Sequence, residues 1–256
     1  MAAWGRGSEE LRQEMRDYFF KEGDDMKLKR NLHRGCLDYE PSIYPDNGTE
    51  QWKFDIAANV QTICEWQIQK VFRKAKEVVP VTDNMCYSGG VALNCVANSL
   101  VVEKQYPNMW ILPNPGDAGS SLGCAAYVGG QHIDFDSAFL GYDIKGKYPV
   151  KQVVKELLKG NLVGVANGRA EYGPRALGNR SIMFDPRHPN AKNIVNAVKK
   201  REHYRPFACT VMLEHANDYF EMLQLPESPW MSFAIPVSYT HLRAHETEAD
   251  LVCRLL

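Results

Sequence analysis

No CxxC pair occurs among the seven cysteines (Cys36, Cys64, Cys86, Cys95, Cys124, Cys209 and Cys253). An odd, dispersed set of this kind argues against a disulfide framework and against a structural zinc site. It leaves mostly buried, reduced thiols in a cytoplasmic protein as the expectation. No apolar run reaches the roughly 18–20 residues that a bilayer span needs, and the N-terminus "MAAWGRGSEELRQEMRDYFF" lacks the basic-then-apolar layout of a signal peptide. There is no charge of one sign in excess: the formal net charge is -1, so nothing global favours nucleic acid or an anionic membrane as partner. Internal repeats are absent too. What remains, 45% hydrophobic and 24% charged residues, is the composition of an ordinary globular protein.

The chain opens with a charge-dense segment carrying an amphipathic patch from Leu11 to Phe20, closed by turn signals at Pro41, Pro45 and Asp46–Gly48. Ile56, Val60, Ile63, Ile68, Val71 and Phe72 keep helical spacing and predict a helix from Asp55 to about Val79. "NMCYS" and "MWILP" read as strands, each followed by a glycine turn and a helix, Val91 to about Gln105 and Ser120 to Tyr127. Strand, glycine turn, helix, repeated, is the rhythm of an α/β domain. Periodicity lapses between Gly129 and Pro149, which suits a linker or surface loop and places a domain boundary near residue 145. A helix over Val150–Lys159, a strand "NLVGVAN", a helix over Ala191–Lys200 and a strand "FACTVML" follow.

Three stretches carry chemistry. "YSGGVALN" sets Gly89 and Gly90 where a strand turns into a helix, a place where free N–H groups hold phosphate or ribose; a tight packing turn explains the pair equally well. Asn94, one turn in, could bond a nucleotide. "NPGDAGSSLG" repeats the arrangement and adds Asp117, placed either to ligate a metal or to cap a helix. "GRAEYGPRALGNRS", Gly168–Ser181, packs three arginines, three glycines and a proline around one glutamate. Between Arg169 and Arg205 nine cations face three carboxylates. Guanidinium forks bind phosphate bidentately, and a glycine loop lets them converge. Lys192 and Lys200 read as a solvated helix face. Arg175 and Arg180, in a constrained loop, read as a site for a phosphorylated small molecule.

"CYSGGVALNCVAN", "NPGDAGSSLG", "GRAEYGPRALGNRSIMFDPR" and "VKKREHYRPFA", in this order, resemble the O-carbamoyltransferase family of nodulation-factor and antibiotic-tailoring enzymes. The resemblance covers roughly residues 40 to 236. It implies the C-terminal part of an actin-like ATPase (ASKHA) domain followed by the start of a YrdC-like α/β domain. The corresponding division is a charged segment 1–43, a carbamoyl-transfer part 44–145, a carbamoyl-adenylate-forming part 146–236 and a tail 237–256. It further implies that carbamoyl phosphate and ATP form carbamoyl-adenylate, and that the carbamoyl group passes to a hydroxyl of a small-molecule acceptor with a divalent metal present, Fe2+ with Mg2+ as the other candidate. By the same resemblance Gly89, Gly90 and Asn94 cradle the nucleotide, Asp117 ligates the metal, and Arg175, Lys199 and Arg205 grip carbamoyl phosphate or the adenylate. Arg169, Glu171 and Arg180 share the signature. Cations at these positions would stabilise charge building on phosphate leaving groups.

Departures from the family pattern shape the expectations. The family's other metal ligands are two histidines in an HxxxH element; ahead of the glycine motifs this chain has only His33. Cys209 stands where the family has the last proline of "RPFAP". "VSYTHLRAHET", starting at Val237, looks like one reading frame of a sequencing-library adapter, so the tail and its His241 and His245 are set apart from fold and metal reasoning. The chain is therefore expected to be cut at both ends and not to turn over alone. Two other readings stand beside the first: a tRNA threonylcarbamoyl-transfer relative, and a nucleotide-binding scaffold without turnover.

Overall fold

The computed structural model describes residues 1–22, 24–29, 47–238 and 251–255. Pro41, Pro45, Cys36, His33, His241 and His245 lie outside the described residues. Two compact units form, Met1–Val78 and Val79–Leu256.

In the first unit, helix α1 (Glu9–Phe19) starts where the Ser8 side chain accepts a hydrogen bond from the Leu11 N–H, with Glu9 and Glu10 in the first turn. Both features satisfy the exposed donors and partial positive charge of a helix start. A short antiparallel ribbon follows, β1 (Phe20–Lys21) and β2 (Asp24–Leu28). Helix α2 runs from Glu50 to Val78, close to the span its periodicity predicts. Met15, Phe19 and Ile63 form the core between α1 and α2, with Leu11, Tyr18, Phe20 and Ile56 packed around them. Val60 and Val71 of the predicted stripe stay exposed, and the buried line is Phe54, Asn59, Ile63, Ile68 and Phe72.

Asn59 is 0% exposed, and four hydrogen bonds account for it. Its Oδ1 accepts from the Ser8 N–H (2.9 Å) and Arg12 Nη1 (3.2 Å); its Nδ2 donates to the carbonyls of Arg6 (3.1 Å) and Asp55 (2.8 Å). A buried amide satisfied in this way fixes the N-terminal residues on α2.

The second unit is mixed α/β, built from two-stranded sheets. Strands β3 (Asn84–Tyr87) and β4 (Asn108–Ile111) pair in parallel, joined through helix α3 (Cys95–Lys104); α4 (Ser120–Gly129) follows β4. The predicted helix from Val91 is broken: residues Gly90–Leu93 wind as a 3-10 turn, and α3 begins afresh because Asn94 Oδ1 accepts from the Ala97 N–H. Strand β5 (Asp143–Ile144), helix α5 (Val150–Leu158), and strands β6 (Val163–Ala166), β7 (Gly168–Arg169) and β8 (Arg180–Met183) come next. β5 pairs antiparallel with β7, and β6 with β8. Helix α6 (Ala191–Val198), strand β9 (Phe207–Val211), helix α7 (Ala216–Tyr219) and strand β10 (Leu251–Leu255) complete the chain, β10 lying parallel to β9.

Two expectations are corrected here. The described cysteines are not buried: Cys64, Cys95 and Cys209 are half-buried, and Cys86 and Cys124 are exposed. Cys86 sits in a sheet of only two strands, and α4, which carries Cys124, buries none of its residues. Of the two readings of 129–149, linker or surface loop, the linker is the one corrected. Ala138 is fully buried, and the backbone of Gly141 and Tyr142 bonds to Ala170. No helix among the described residues is long and apolar enough to cross a membrane.

Replacing Asn59 with alanine strands the Ser8 N–H and the Arg6 carbonyl without replacement partners. The expected loss is roughly 2–3 kcal/mol of unfolding free energy, read as a lower urea midpoint at unchanged slope.

Candidate functional site

The two glycine turns lie side by side at the carboxyl ends of β3 and β4, the edge where parallel sheets hold ligands. The Gly89 N–H donates to the Pro115 carbonyl (2.7 Å), and Ser88 Oγ donates to the same oxygen (3.1 Å). Gly89 has φ 107, a backbone state that side chains make costly. Asp117 opens the 3-10 turn Asp117–Gly119 and is exposed; its side chain caps no helix. Among the described residues no cluster of three or more His, Cys, Asp or Glu groups could hold a metal ion. Asp117 alone is therefore an incomplete donor set for the metal that the resemblance implies.

The arginine loop, residues 170–179, joins β7 to β8 and folds around one oxygen. Glu171 Oε1 accepts from the backbone N–H groups of Leu177 (2.8 Å), Asn179 (2.9 Å) and Arg180 (3.1 Å). Burial opposes the charge on Glu171, but these amides outweigh it and hold the carboxyl below its ordinary value. Arg180 closes the base of the loop. Its Nη1 donates to the carbonyls of Asn167 (3.0 Å) and Asn179 (2.7 Å), and its Nη2 to those of Tyr142 (2.9 Å) and Gly168 (3.2 Å). Both terminal nitrogens are thus engaged with backbone, which makes Arg180 a clip across β5, β7 and β8.

Three contacts carry the folded loop onto the glycine turns. Tyr172 Oη donates to the Gly119 carbonyl (2.8 Å). Gly173, at φ 134, packs so closely that a Cβ there would lie 2.5 Å from the Pro113 oxygen. Arg175 Nη2 reaches the Leu93 carbonyl (3.3 Å), while its Nε is buried with no hydrogen-bond partner among the described residues. Cys95 lies within the field of Arg175: burial raises its thiol, and the guanidinium charge acts in the opposite direction. Tyr172 was not singled out in the sequence. Its position between Glu171 and Gly173 was the available signal, since an aromatic hydroxyl inside a glycine loop needs a partner.

Lys199 and Arg205 occupy a second loop, after α6, built around Asn196. Asn196 is 2% exposed; its Nδ2 donates to the carbonyls of His203 (3.3 Å) and Arg205 (3.1 Å), and its Oδ1 accepts from Arg201 Nε. Arg201 also covers the Phe207 ring at 4.1 Å. Arg205 Nε pairs with Glu202 (2.6 Å), which raises the guanidinium further. Partial burial, then the Arg201 charge, lowers the Lys199 ammonium. The bonds that gather the first three motifs do not include this loop. Arg169 stands exposed on β7, opposite Asp143 in the register.

Residues 4–126 match the family model described as Carbamoyltransferase N-terminus, and residues 154–253 match the one described as Carbamoyltransferase C-terminus. The chain belongs to the carbamoyltransferase family. An uncharacterized protein of Synechocystis sp. is 36% identical over 224 residues, 75% of this chain and 36% of that protein. Nodulation protein NolNO of Sinorhizobium fredii is 34% identical over 241 residues, 81% of this chain and 35% of its own length. The 3'-hydroxymethylcephem-O-carbamoyltransferase of Amycolatopsis lactamdurans is 29% identical over 214 residues, 77% of this chain and 40% of the enzyme. The chain thus spans between 27% and 41% of the length of the curated relatives it matches. Arg175, Tyr172 and Gly173 fall within the C-terminal family model, and their partners Leu93, Gly119 and Pro113 within the N-terminal one.

The folded Glu171 carboxyl titrates below the ordinary value of 4.5, so its bonds stabilise the unit above that pH and fade as pH falls through the folded value. Glu171→Gln is expected to melt below the wild type at neutral pH. The gap should narrow as pH falls below the ordinary value of 4.5 and through the lower folded value, as the wild-type carboxyl protonates. Differential scanning fluorimetry across that range checks it, and a gap independent of pH refutes it.

Proposed function

We propose that this chain is part of an ATP-dependent O-carbamoyltransferase. In this reading water splits carbamoyl phosphate into carbamate and phosphate, carbamate displaces pyrophosphate from ATP to give carbamoyl-adenylate, and the carbamoyl group then passes to a hydroxyl of a small-molecule acceptor with AMP as leaving group. The fold assignment that goes with it is an actin-like first part and a YrdC-like second part.

The observation that carries the reading is Arg175. It spans from the arginine loop to the turn after Gly89 and Gly90, with a buried Nε that has no hydrogen-bond partner among the described residues. A buried, unsatisfied guanidinium nitrogen is costly, and a phosphate oxygen is the acceptor its fork geometry suits. Gly89 and Gly90 sit beside it at the carboxyl edge of β3, where backbone can approach a nucleotide. Lys199 and Arg205, although Arg205 shares its charge with Glu202, supply the further cations for a second phosphate. The name of the cephem relative supports a hydroxyl as the acceptor group. A divalent metal, Fe2+ or Mg2+, would need ligands beyond Asp117, so no step is assigned to it. Arg180 and Glu171 serve by holding the loop, and Arg175 by meeting the charge.

Isothermal titration of carbamoyl phosphate into the chain tests this directly. Arg175→Ala should weaken binding by about 10- to 100-fold, the worth of a charge-assisted hydrogen-bond pair. Arg175→Lys should recover little, because an ammonium lacks the fork. Equal affinity of wild type and Arg175→Ala removes the reading.

A further inference from the structure

Asn98, the last residue of "CYSGGVALNCVAN", lies on α3, has no role assigned to it above and is 0% exposed. Its Nδ2 donates two hydrogen bonds of 2.8 Å, one to the Ala92 carbonyl in the 3-10 turn after Gly89 and Gly90, the other to the Ser232 carbonyl. Residues 230–238 form an extended strap: Phe233, Ile235 and Val237 are buried at alternate positions. Its backbone is read by α3, with Ser99 Oγ donating to the Ala234 carbonyl (2.7 Å) and the Ala234 N–H reaching Ser99 Oγ (2.9 Å) and the Cys95 carbonyl (3.2 Å). At its start Met231 adopts φ 54, a left-handed state that a side chain holds only when its surroundings impose it.

We infer that Asn98 is a positioning residue that couples the 230–238 strap to the glycine turn, one amide fixing both. The turn belongs to the N-terminal family model and the strap to the C-terminal one. Docking of the strap therefore sets the turn on which the proposed nucleotide would rest, and the inference deepens the function proposed above. The turn is held from two sides: Arg175 takes the Leu93 carbonyl and Asn98 the adjacent Ala92 carbonyl. Both residues that bind these carbonyls are also anchored in other segments, so movement of either segment is felt at the turn. A buried side chain with two discrete partners is the kind of element through which binding at one place biases another. Ser99 differs in one respect: it holds the strap but makes no bond to the turn.

That difference defines the test, amide hydrogen exchange of the chain without ligand. Asn98→Ala should speed exchange at least tenfold both in the turn (Ala92, Asn94) and in the strap (Ala234). Ser99→Ala should speed it in the strap alone. Asn98→Ala leaving the turn unchanged, or Ser99→Ala loosening both to the same extent, overturns the inference. If Asn98→Ala does not fold, Asn98→Leu, close to asparagine in volume but without the two amide donors, replaces it. Exchange in the turn must then rise with exchange in the strap, and a silent turn is a refutation. ATP titration gives a separate arm: wild type should bind and Asn98→Ala should bind at least tenfold more weakly. Failure of the wild type to bind ATP counts against the proposed function, while the exchange pattern still decides the role of Asn98.

Discussion

One carboxylate oxygen organises the arginine loop. A ten-residue connection with two glycines and a proline has many conformations and little side-chain mass to select one, and ordering it costs roughly 1–2 kcal/mol per residue. Glu171 Oε1 offsets that cost by collecting three backbone N–H groups at 2.8–3.1 Å. Amides aimed at a charge make stronger bonds than amides aimed at a carbonyl. Only once the loop is wound on this oxygen do Tyr172, Gly173 and Arg175 all face the two glycine turns. The local excess of cations therefore rests on its rarest component, the single acid inside it.

Within that frame, residues of one type divide their work according to what surrounds them. Arg180 meets four carbonyls and is consumed by structure. Arg187 and Arg205 lie against Asp185 and Glu202 in exposed pairs, which contribute little to stability but reduce the field available to a ligand. Arg201 spreads over Phe207 and bonds Asn196 and the Pro206 carbonyl. Among the described residues Arg175 alone combines a buried nitrogen lacking a hydrogen-bond partner with a reach to a second motif. Nine cations in sequence thus reduce to very few that a phosphate could recruit.

The elements themselves were legible from the chain. Helical spacing located α2 to within a few residues of its start, and the two strand–glycine–helix units are where "NMCYS" and "MWILP" place them. Periodicity works there because each element buries one face. It fails for Val60 and Val71, which lie on the stripe yet remain exposed, and at Asn94, where a side-chain cap restarts the helix. The division of labour among the arginines was not legible. The acceptors that occupy Arg180 come from Tyr142 and Asn167, and the one for Arg175 from Leu93, 82 positions away; only folding makes them neighbours. Asn59, Asn98 and Asn196 illustrate the same limit, because a polar residue type carries no mark in the sequence when it is destined for burial.

Those buried polar groups share a logic with Glu171. Asn196 fixes the second cationic loop by donating to two carbonyls and accepting from Arg201, and Asn98 fixes the strap and the turn by donating to two more. The arginine loop, the second loop and the strap are thus each tied by a side chain, Glu171, Asn196 and Asn98, that satisfies backbone groups which no sheet or helix pairs. The ties differ in chemistry. Amides keep their bonding across the whole accessible pH range, whereas the carboxylate loses its charge in acid. Acid therefore removes the charge from the tie of the arginine loop, Glu171, and leaves the amide ties of the strap and of the second loop unchanged.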